Sequence, residues 1–183
     1  FGIAKAETGV SWYAKADYRS PFEGGRSTTV EPGTDNLHVA LRDAKAGDRF
    51  VLEPGKYFET RISRLSVPVA IEAAEPGSVS ISFERPRLFE LTDNGGLELV
   101  GLIFSGRAAP DGSGNSLIAT SSGDGSNNHL LHIRQSRFED FDVNKGFSVV
   151  SASKGAFFDR IDVAGSHFAD ITGPVFKLDT ETD

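Results

Sequence analysis

The 183-residue chain contains no cysteine, no methionine and a single tryptophan. The lack of cysteine excludes disulfides, thiolate chemistry and zinc–thiolate sites. No run of 18 apolar residues is present, so the sequence predicts no membrane-spanning helix. Basic residues are also scarce, because 19 Lys and Arg stand against 26 Asp and Glu, for a net charge of −7. This balance argues against nucleic acid or an anionic membrane as the main partner.

Apolar residues are present in an ordinary amount, and in three segments they follow one pattern. With 38% hydrophobic and 25% charged residues, the composition is that of a globular domain. The segments lie 34 and 30 residues apart. Their corresponding positions are Leu97, Leu99, Leu102 and Phe104, then Leu131, Ile133, Ser136 and Phe138, then Ile161, Val163, Ser166 and Phe168. A repeat of about this length in a strand-rich chain indicates a solenoid of stacked units.

Short strands separated by turn residues dominate the chain after residue 49, and two architectures compete for this pattern. An antiparallel sandwich also uses many short strands, but it does not predict a sequence repeat with the same inward positions. We therefore predict an all-β fold, a right-handed parallel β-helix, in which like residues of successive coils stack in ladders. Phe104, Phe138 and Phe168 would then form an aromatic ladder inside the stack.

One helix is predicted before the first strand. Apolar residues at helical spacing mark it over Leu37–Ala44. Thr34 or Asp35 can cap its first turn with a side-chain oxygen, and Gly47 suits the left-handed position after its last turn. The helix would cover the open N-terminal end of the solenoid, where strand edges and apolar core would otherwise be exposed.

The chain is predicted to have two parts. Residues 1–33 are interpreted as an irregular lead-in or inter-domain segment, and residues 34–183 as the β-helix. The lead-in aromatics either pack on a neighbour or belong to a plain linker; they are Trp12, Tyr13, Tyr18 and Phe22. The chain starts without Met and ends directly after a strand-like segment with no polar cap. We therefore expect a piece of a longer protein whose β-helix is truncated at the C-terminus.

Few groupings of reactive side chains are present. His129 and His132 form the one close histidine pair, but residues three apart on a strand point to opposite faces, so a metal site is not expected. Oxygen-bearing residues between 111 and 128 match no calcium loop and are explained by a long Gly- and Ser-rich loop. Asp140 and Asp170 occupy equivalent repeat positions and are expected to form turns rather than an acid–base pair.

Motifs of nucleophilic or nucleotide chemistry are missing as well. The sequence has no Gly-x-Ser-x-Gly nucleophile elbow, phosphate loop or dinucleotide fingerprint. No catalytic residue and no metal ligand are therefore assigned.

The helix region and two later segments resemble one family of proteins. The first segment resembles the opening of β-helix alginate lyases of the chondroitinase-B-like kind, polysaccharide lyase family 6. The later segments resemble the second, C-terminal β-helix of two-domain members, so the resemblance covers residues 34–183. The three motifs are Leu37-x-x-Ala40-Leu41-x-x-Ala44-x-x-Gly47-Asp48-x-x-Val51-Leu52-x-x-Gly55-x-Tyr57, Phe138-Glu139-Asp140-Phe141-Asp142-x-x-Lys145-Gly146, and Phe176-x-Leu178-x-Thr180-Glu181-Thr182-Asp183.

The resemblance implies a reaction and also implies that its catalytic groups lie elsewhere. Family members cleave alginate by β-elimination: calcium neutralises the uronate carboxylate, a Lys abstracts the C5 proton and an Arg assists as acid. These groups belong to the N-terminal β-helix, in segments that this sequence lacks. We therefore expect part of an alginate lyase, a non-catalytic β-helix that supports the catalytic domain, with calcium in the parent's catalytic domain and none in this chain.

Three residues are the candidate substrate-binding residues: Arg134 after a ladder strand, Lys145 in a turn, and His132. The resemblance also implies alginate as the acidic polysaccharide partner, a preceding N-terminal β-helix, a homodimer, and a secreted or periplasmic bacterial location. Two alternatives stay open. One is a stand-alone carbohydrate-binding or structural β-helix, and the other is a catalytic β-helix of another kind, such as a pectate-lyase-like protein.

Overall fold

Short parallel strands form most of the protein. The computed structural model describes residues 5–6, 9–10, 20–121 and 127–178. Strands β1 (Lys5–Ala6) and β2 (Gly9–Val10) pair antiparallel. The remaining strands form three parallel sheets, and one helix, α1, spans Asn36–Leu41. Within the described residues, no helix is long and apolar enough to cross a membrane.

The three sheets take one strand each in turn. Sheet 1 consists of β3 (Ser27–Val30), β5 (Arg49–Leu52), β8 (Pro68–Ala73), β11 (Gly96–Val100), β14 (Asn127–Arg134) and β17 (Ala156–Ala164). Sheet 2 consists of β4 (Gly33–Thr34), β6 (Gly55–Glu59), β9 (Val79–Phe83), β12 (Leu102–Ser105), β15 (Arg137–Glu139) and β18 (His167–Phe168). Sheet 3 consists of β7 (Ser63–Leu65), β10 (Arg87–Leu91), β13 (Ser116–Thr120), β16 (Ser148–Ala152) and β19 (Phe176–Leu178).

Each new strand adds to the edge of its sheet in chain order, so the chain winds as a parallel β-helix. The predicted all-β solenoid is confirmed, and the antiparallel sandwich does not fit. The hydrophobic core lies between the three sheets, where inward side chains of successive coils stack on one another.

The register of the sheets reproduces the sequence repeat. Leu97 pairs with Leu131, which pairs with Ile161. The predicted phenylalanine ladder is also confirmed. The rings of Phe104 and Phe138 lie 5.4 Å apart with an interplanar angle of 12°, and those of Phe138 and Phe168 lie 4.8 Å apart at 6°.

A tight corner joins sheet 1 to sheet 2 in each repeat. Its first residue has a left-handed backbone, with φ of 70° at Gly101, 50° at Gln135 and 60° at Gly165. Glycine adopts this conformation without steric cost. Serine hydroxyls then connect the coils, because Ser136 Oγ accepts from the Leu102 N–H at 3.3 Å and Ser166 Oγ accepts from the Ser136 N–H at 3.2 Å. These bonds explain why serine occupies a repeat position where the first copy has leucine.

The helix is shorter than predicted and is capped differently. It ends at Leu41 rather than Ala44, and Asp35 makes no side-chain cap bond to it. Instead, the Asp35 carboxylate accepts from the backbone N–H of Thr60 at 2.6 Å and from its hydroxyl at 2.7 Å. The predicted side-chain cap is therefore wrong, because the carboxylate of Asp35 is taken by the next coil. Gly47 does have the predicted left-handed backbone, with φ of 81°.

A buried glutamate from sheet 2 takes over the role of the cap. Glu59 Oε1 accepts from the Leu37 N–H at 3.3 Å, and Oε2 accepts from the His38 N–H at 3.2 Å. The free amides of the first turn are thus satisfied by a carboxylate 21 and 22 residues away in sequence.

Part of the predicted lead-in belongs to the solenoid. Residues 27–30 form β3, which pairs in parallel with β5, so the first coil begins before residue 34. Phe22 packs on a neighbour as the first of the two alternatives predicts, since its side chain is fully buried. Trp12, Tyr13 and Tyr18 lie outside the described residues.

Candidate functional site

A row of ionisable side chains crosses the outer face of sheet 1. Glu98, His132 and Asp162 pair with one another in the register of three successive strands. His132 Nδ1 lies 3.5 Å from Glu98 Oε1, and its Nε2 lies 3.4 Å from Asp162 Oδ2. The imidazole is therefore clamped between two carboxylates. Neither contact has hydrogen-bond geometry, so both ring nitrogens are buried beside a carboxylate without a hydrogen bond.

Arginines surround this clamp and line a groove of about 470 Å³ with it. Each arginine faces a carboxylate of the same groove. The pairs are Arg49 with Glu72 at 3.0 Å, Arg160 with Asp162 at 2.6 Å, and Arg134 with Glu98 at 3.9 Å. Because four carboxylates and three arginines line the groove, it presents no excess of positive charge to an anionic ligand.

An aromatic residue from the lead-in covers the clamp. The Phe22 ring meets the His132 ring edge-on at 4.9 Å. Two backbone contacts anchor this segment on the first coil: Gly25 N–H donates to Gly47 O at 3.1 Å, and Arg26 N–H donates to Asp48 Oδ1 at 2.8 Å. As a result, only 2% of the His132 surface is exposed.

Asp48 is the anchor of the covering segment, and its loss has a defined expected effect. The Arg26 guanidinium, 2.8 Å away, and backbone N–H donors hold the pKa of Asp48 at about 2. Asp48→Asn removes the charge and one acceptor oxygen, so we expect a loss of about 2 kcal/mol of unfolding free energy. Hydrogen exchange at residues 20–26 should become faster. Asp43→Asn is the control, because that side chain is 85% exposed and 3.8 Å from Arg42. Equal effects of the two substitutions would contradict the anchoring role.

The geometry around His132 favours a structural role, in which the ring anchors Phe22, over a role in proton transfer. A general base must reach the proton that it removes, yet His132 is enclosed by Phe22 and by its two carboxylates. Calcium does not fit either, since it needs six to eight converging oxygens, whereas Glu98 and Asp162 lie on opposite sides of the ring. In the described ranges, no three His, Cys, Asp or Glu side chains form a group that could hold a metal ion.

The structure brings two of the three predicted residues together. His132 and Arg134 line the same groove. Lys145 lies in the turn between β15 and β16, where its carbonyl accepts from the Gly114 N–H at 3.2 Å. His129 is buried elsewhere, with Nδ1 2.9 Å from Gly95 O, and burial lowers its pKa.

Glu98, Asp162 and Phe22 are parts of the site that the sequence interpretation missed. The repeat contained the signal for the two carboxylates, because Glu98, His132 and Asp162 occupy one repeat position. The contact of Phe22 had no such signal, since it joins segments more than a hundred residues apart in the sequence.

Comparison with solved structures identifies the architecture as that of a polysaccharide lyase. The chain is similar to the PL6 family alginate lyase AlyGC, with 38% sequence identity over 96% of this chain and a TM-score of 0.86. An arginine-to-alanine mutant of the same enzyme matches equally well, at 38% identity and a TM-score of 0.86. The chain spans only 24% of the length of that enzyme. The protein thus has the fold of a polysaccharide lyase family 6 enzyme over about a quarter of such an enzyme's length.

Two further comparisons give no match. No known family profile matches the sequence, and no curated protein does so.

Proposed function

We propose that this chain is the second, C-terminal β-helix of an alginate lyase and that it supports the catalytic β-helix without cleaving the polymer itself. The observation that carries the proposal is the 38% identity to an alginate lyase across 96% of the chain. The sequence resemblance of the segments near Lys145 and residues 176–183 to the second β-helix of two-domain members supports the assignment to that half.

The outer face of sheet 1 supports a role without catalysis. Its arginines are paired with carboxylates, and its one histidine is covered by Phe22. Within the described residues that line this groove, no lysine is present to abstract a proton. The proposal also includes the expected calcium site and catalytic groups, which would belong to a preceding β-helix of a secreted or periplasmic protein.

Activity of the chain alone tests the proposal directly. Incubated with alginate, pectate and chondroitin, the 183-residue chain should produce no ultraviolet absorbance from unsaturated products. Turnover of alginate would mean that the catalytic groups lie in this chain, which would contradict the proposal. Turnover of pectate would favour the pectate-lyase-like alternative.

The sequence encoded upstream of Phe1 separates the proposal from the stand-alone module. A second β-helix with a Lys-bearing strand and an Arg-His-Gly segment is the expected finding. An unrelated upstream sequence, together with an inactive chain, would favour a structural or carbohydrate-binding module instead.

A further inference from the structure

A second groove lies beside helix α1, and its charge differs from that of the rest of the chain. It consists of a cavity of about 580 Å³ that continues into one of about 270 Å³. Its charged lining is basic, and none of the described residues that line it is a carboxylate. We call it the arginine groove; its basic residues are His38, Arg42, Arg61, Arg64 and Arg85. In a chain with a net charge of −7, such a surface needs an explanation.

The fold aligns these arginines along the solenoid. Arg61 follows β6 and Arg85 follows β9, so they occupy equivalent corners of successive coils. Neighbouring strands of a sheet lie about 4.8 Å apart, which sets the spacing of these corners. The Arg85 Nε–H donates to the Thr60 carbonyl at 2.5 Å, which holds the guanidinium at the groove and uses only one of its five N–H donors.

The arginines are only partly neutralised. Arg61 lies 3.7 Å from Asp35, whose carboxylate already accepts two bonds from Thr60. Arg64 lies 3.4 Å from Glu90, which also faces a second arginine at 3.5 Å. The side chains of Arg61 and Arg64 remain 69% and 73% exposed. Arg42 likewise lies 3.8 Å from Asp43. The ion pairs of this groove are therefore longer than those of Arg49 and Arg160 in the groove around His132, which measure 3.0 and 2.6 Å.

We propose that the arginine groove binds the carboxylates of an acidic polysaccharide. The more specific statement that this polymer is a polyuronate rests on the proposed function. Guanidinium groups bind carboxylates with two parallel hydrogen bonds, and a row of them suits a polymer with one carboxylate per sugar. The half-buried ring of His38 adds a partner for sugar hydroxyls, and its Nδ1 lies 3.2 Å from the buried hydroxyl of Ser63. The described lining contains no Phe, Tyr or Trp ring on which nucleic acid bases could stack.

Binding of short oligouronates to the 183-residue chain tests this inference. Titration calorimetry at low salt compares oligomannuronate and oligoguluronate with carboxyl-reduced oligomers of the same length. Arg61→Gln and Arg85→Gln should each weaken binding roughly tenfold, and added salt should weaken it further. Arg137→Gln is the matched control, because that side chain is 58% exposed and lies on β15, away from the groove. Circular dichroism confirms that each variant is folded.

Several outcomes would overturn the inference. The inference is wrong if the folded wild type does not bind, or if it binds carboxyl-reduced oligomers equally well. It is also wrong if the groove and control variants lose the same amount of affinity, or if only Arg134→Gln loses affinity. Tighter binding of a single-stranded oligonucleotide would favour nucleic acid instead. The proposed function fails separately: a chain that binds through the groove and also cleaves alginate would retain this inference and refute the non-catalytic role. A chain that neither binds nor cleaves would refute this inference and leave the non-catalytic role in place.

Discussion

Phe138→Ala should destabilise the protein by about 3–5 kcal/mol. The Phe138 ring is fully buried and lies between the rings of Phe104 and Phe168 at 5.4 Å and 4.8 Å. Its removal opens a cavity in the middle of the ladder, which stacked neighbours cannot fill because their positions are set by the coils. Urea unfolding, followed by circular dichroism, measures the change.

Phe157→Ala provides the control for the ladder. The side chain of Phe157 is 43% exposed, so its loss should cost far less than the loss of Phe138. If the two variants unfold at the same urea concentration, the stacked ring of Phe138 does not make the expected contribution to the unfolding free energy.

The contribution of Glu59 to the stability of the protein should fall as the pH rises from 4.5 to above 7, and Glu59→Gln should remove this fall. The lowered pKa of His129 acts in the opposite sense, and it does so in both proteins. Burial, partly offset by bonds from backbone N–H groups, raises the pKa of Glu59 from 4.5 to about 7. The folded protein therefore keeps a proton that the unfolded chain releases. This contribution to stability is complete below pH 4.5 and is lost as the pH passes through 7, with a total of about 3 kcal/mol.

Unfolding free energies of the wild type and of Glu59→Gln, measured at intervals from pH 4.5 to 8, test this effect. Their difference isolates Glu59 from the other ionisable groups, because those groups are present in both proteins. The difference should change by about 3 kcal/mol across the range. Parallel pH profiles would mean that Glu59 is ionised in the folded state, like an ordinary carboxylate.

The solenoid could be predicted because its signal is repeated. Leu97, Leu131 and Ile161 occupy the same inward position of stacked strands, so the spacing of the sequence repeat equals the register of the sheet. The cap of helix α1 could not be predicted in the same way. Asp35 is a good local cap by residue type, but its carboxylate binds Thr60, and the helix receives Glu59 from another strand. Long-range contacts of this kind leave no local pattern.

The two grooves also differ in how much of them could be predicted from the sequence. Arg134 and His132 were predicted as candidates and lie together, although their carboxylate partners were not recognised. The arginine groove was missed because Arg61 and Arg85 are 24 residues apart and look like scattered surface charge. Only the winding of the chain places them in adjacent corners.

The clamp of Glu98, His132 and Asp162 constrains how such a protein can gain or lose length. Acidic and basic groups alternate over these three coils, whereas the coil before Glu98 has Ala70 at this position. Deletion of the coil that contains His132 would stack Glu98 directly against Asp162, and like charges that face each other across paired strands are destabilising. Loss of the coil that contains Glu98 would instead place His132 beside Ala70, so at this face the cost of a change in length depends on which coil is lost.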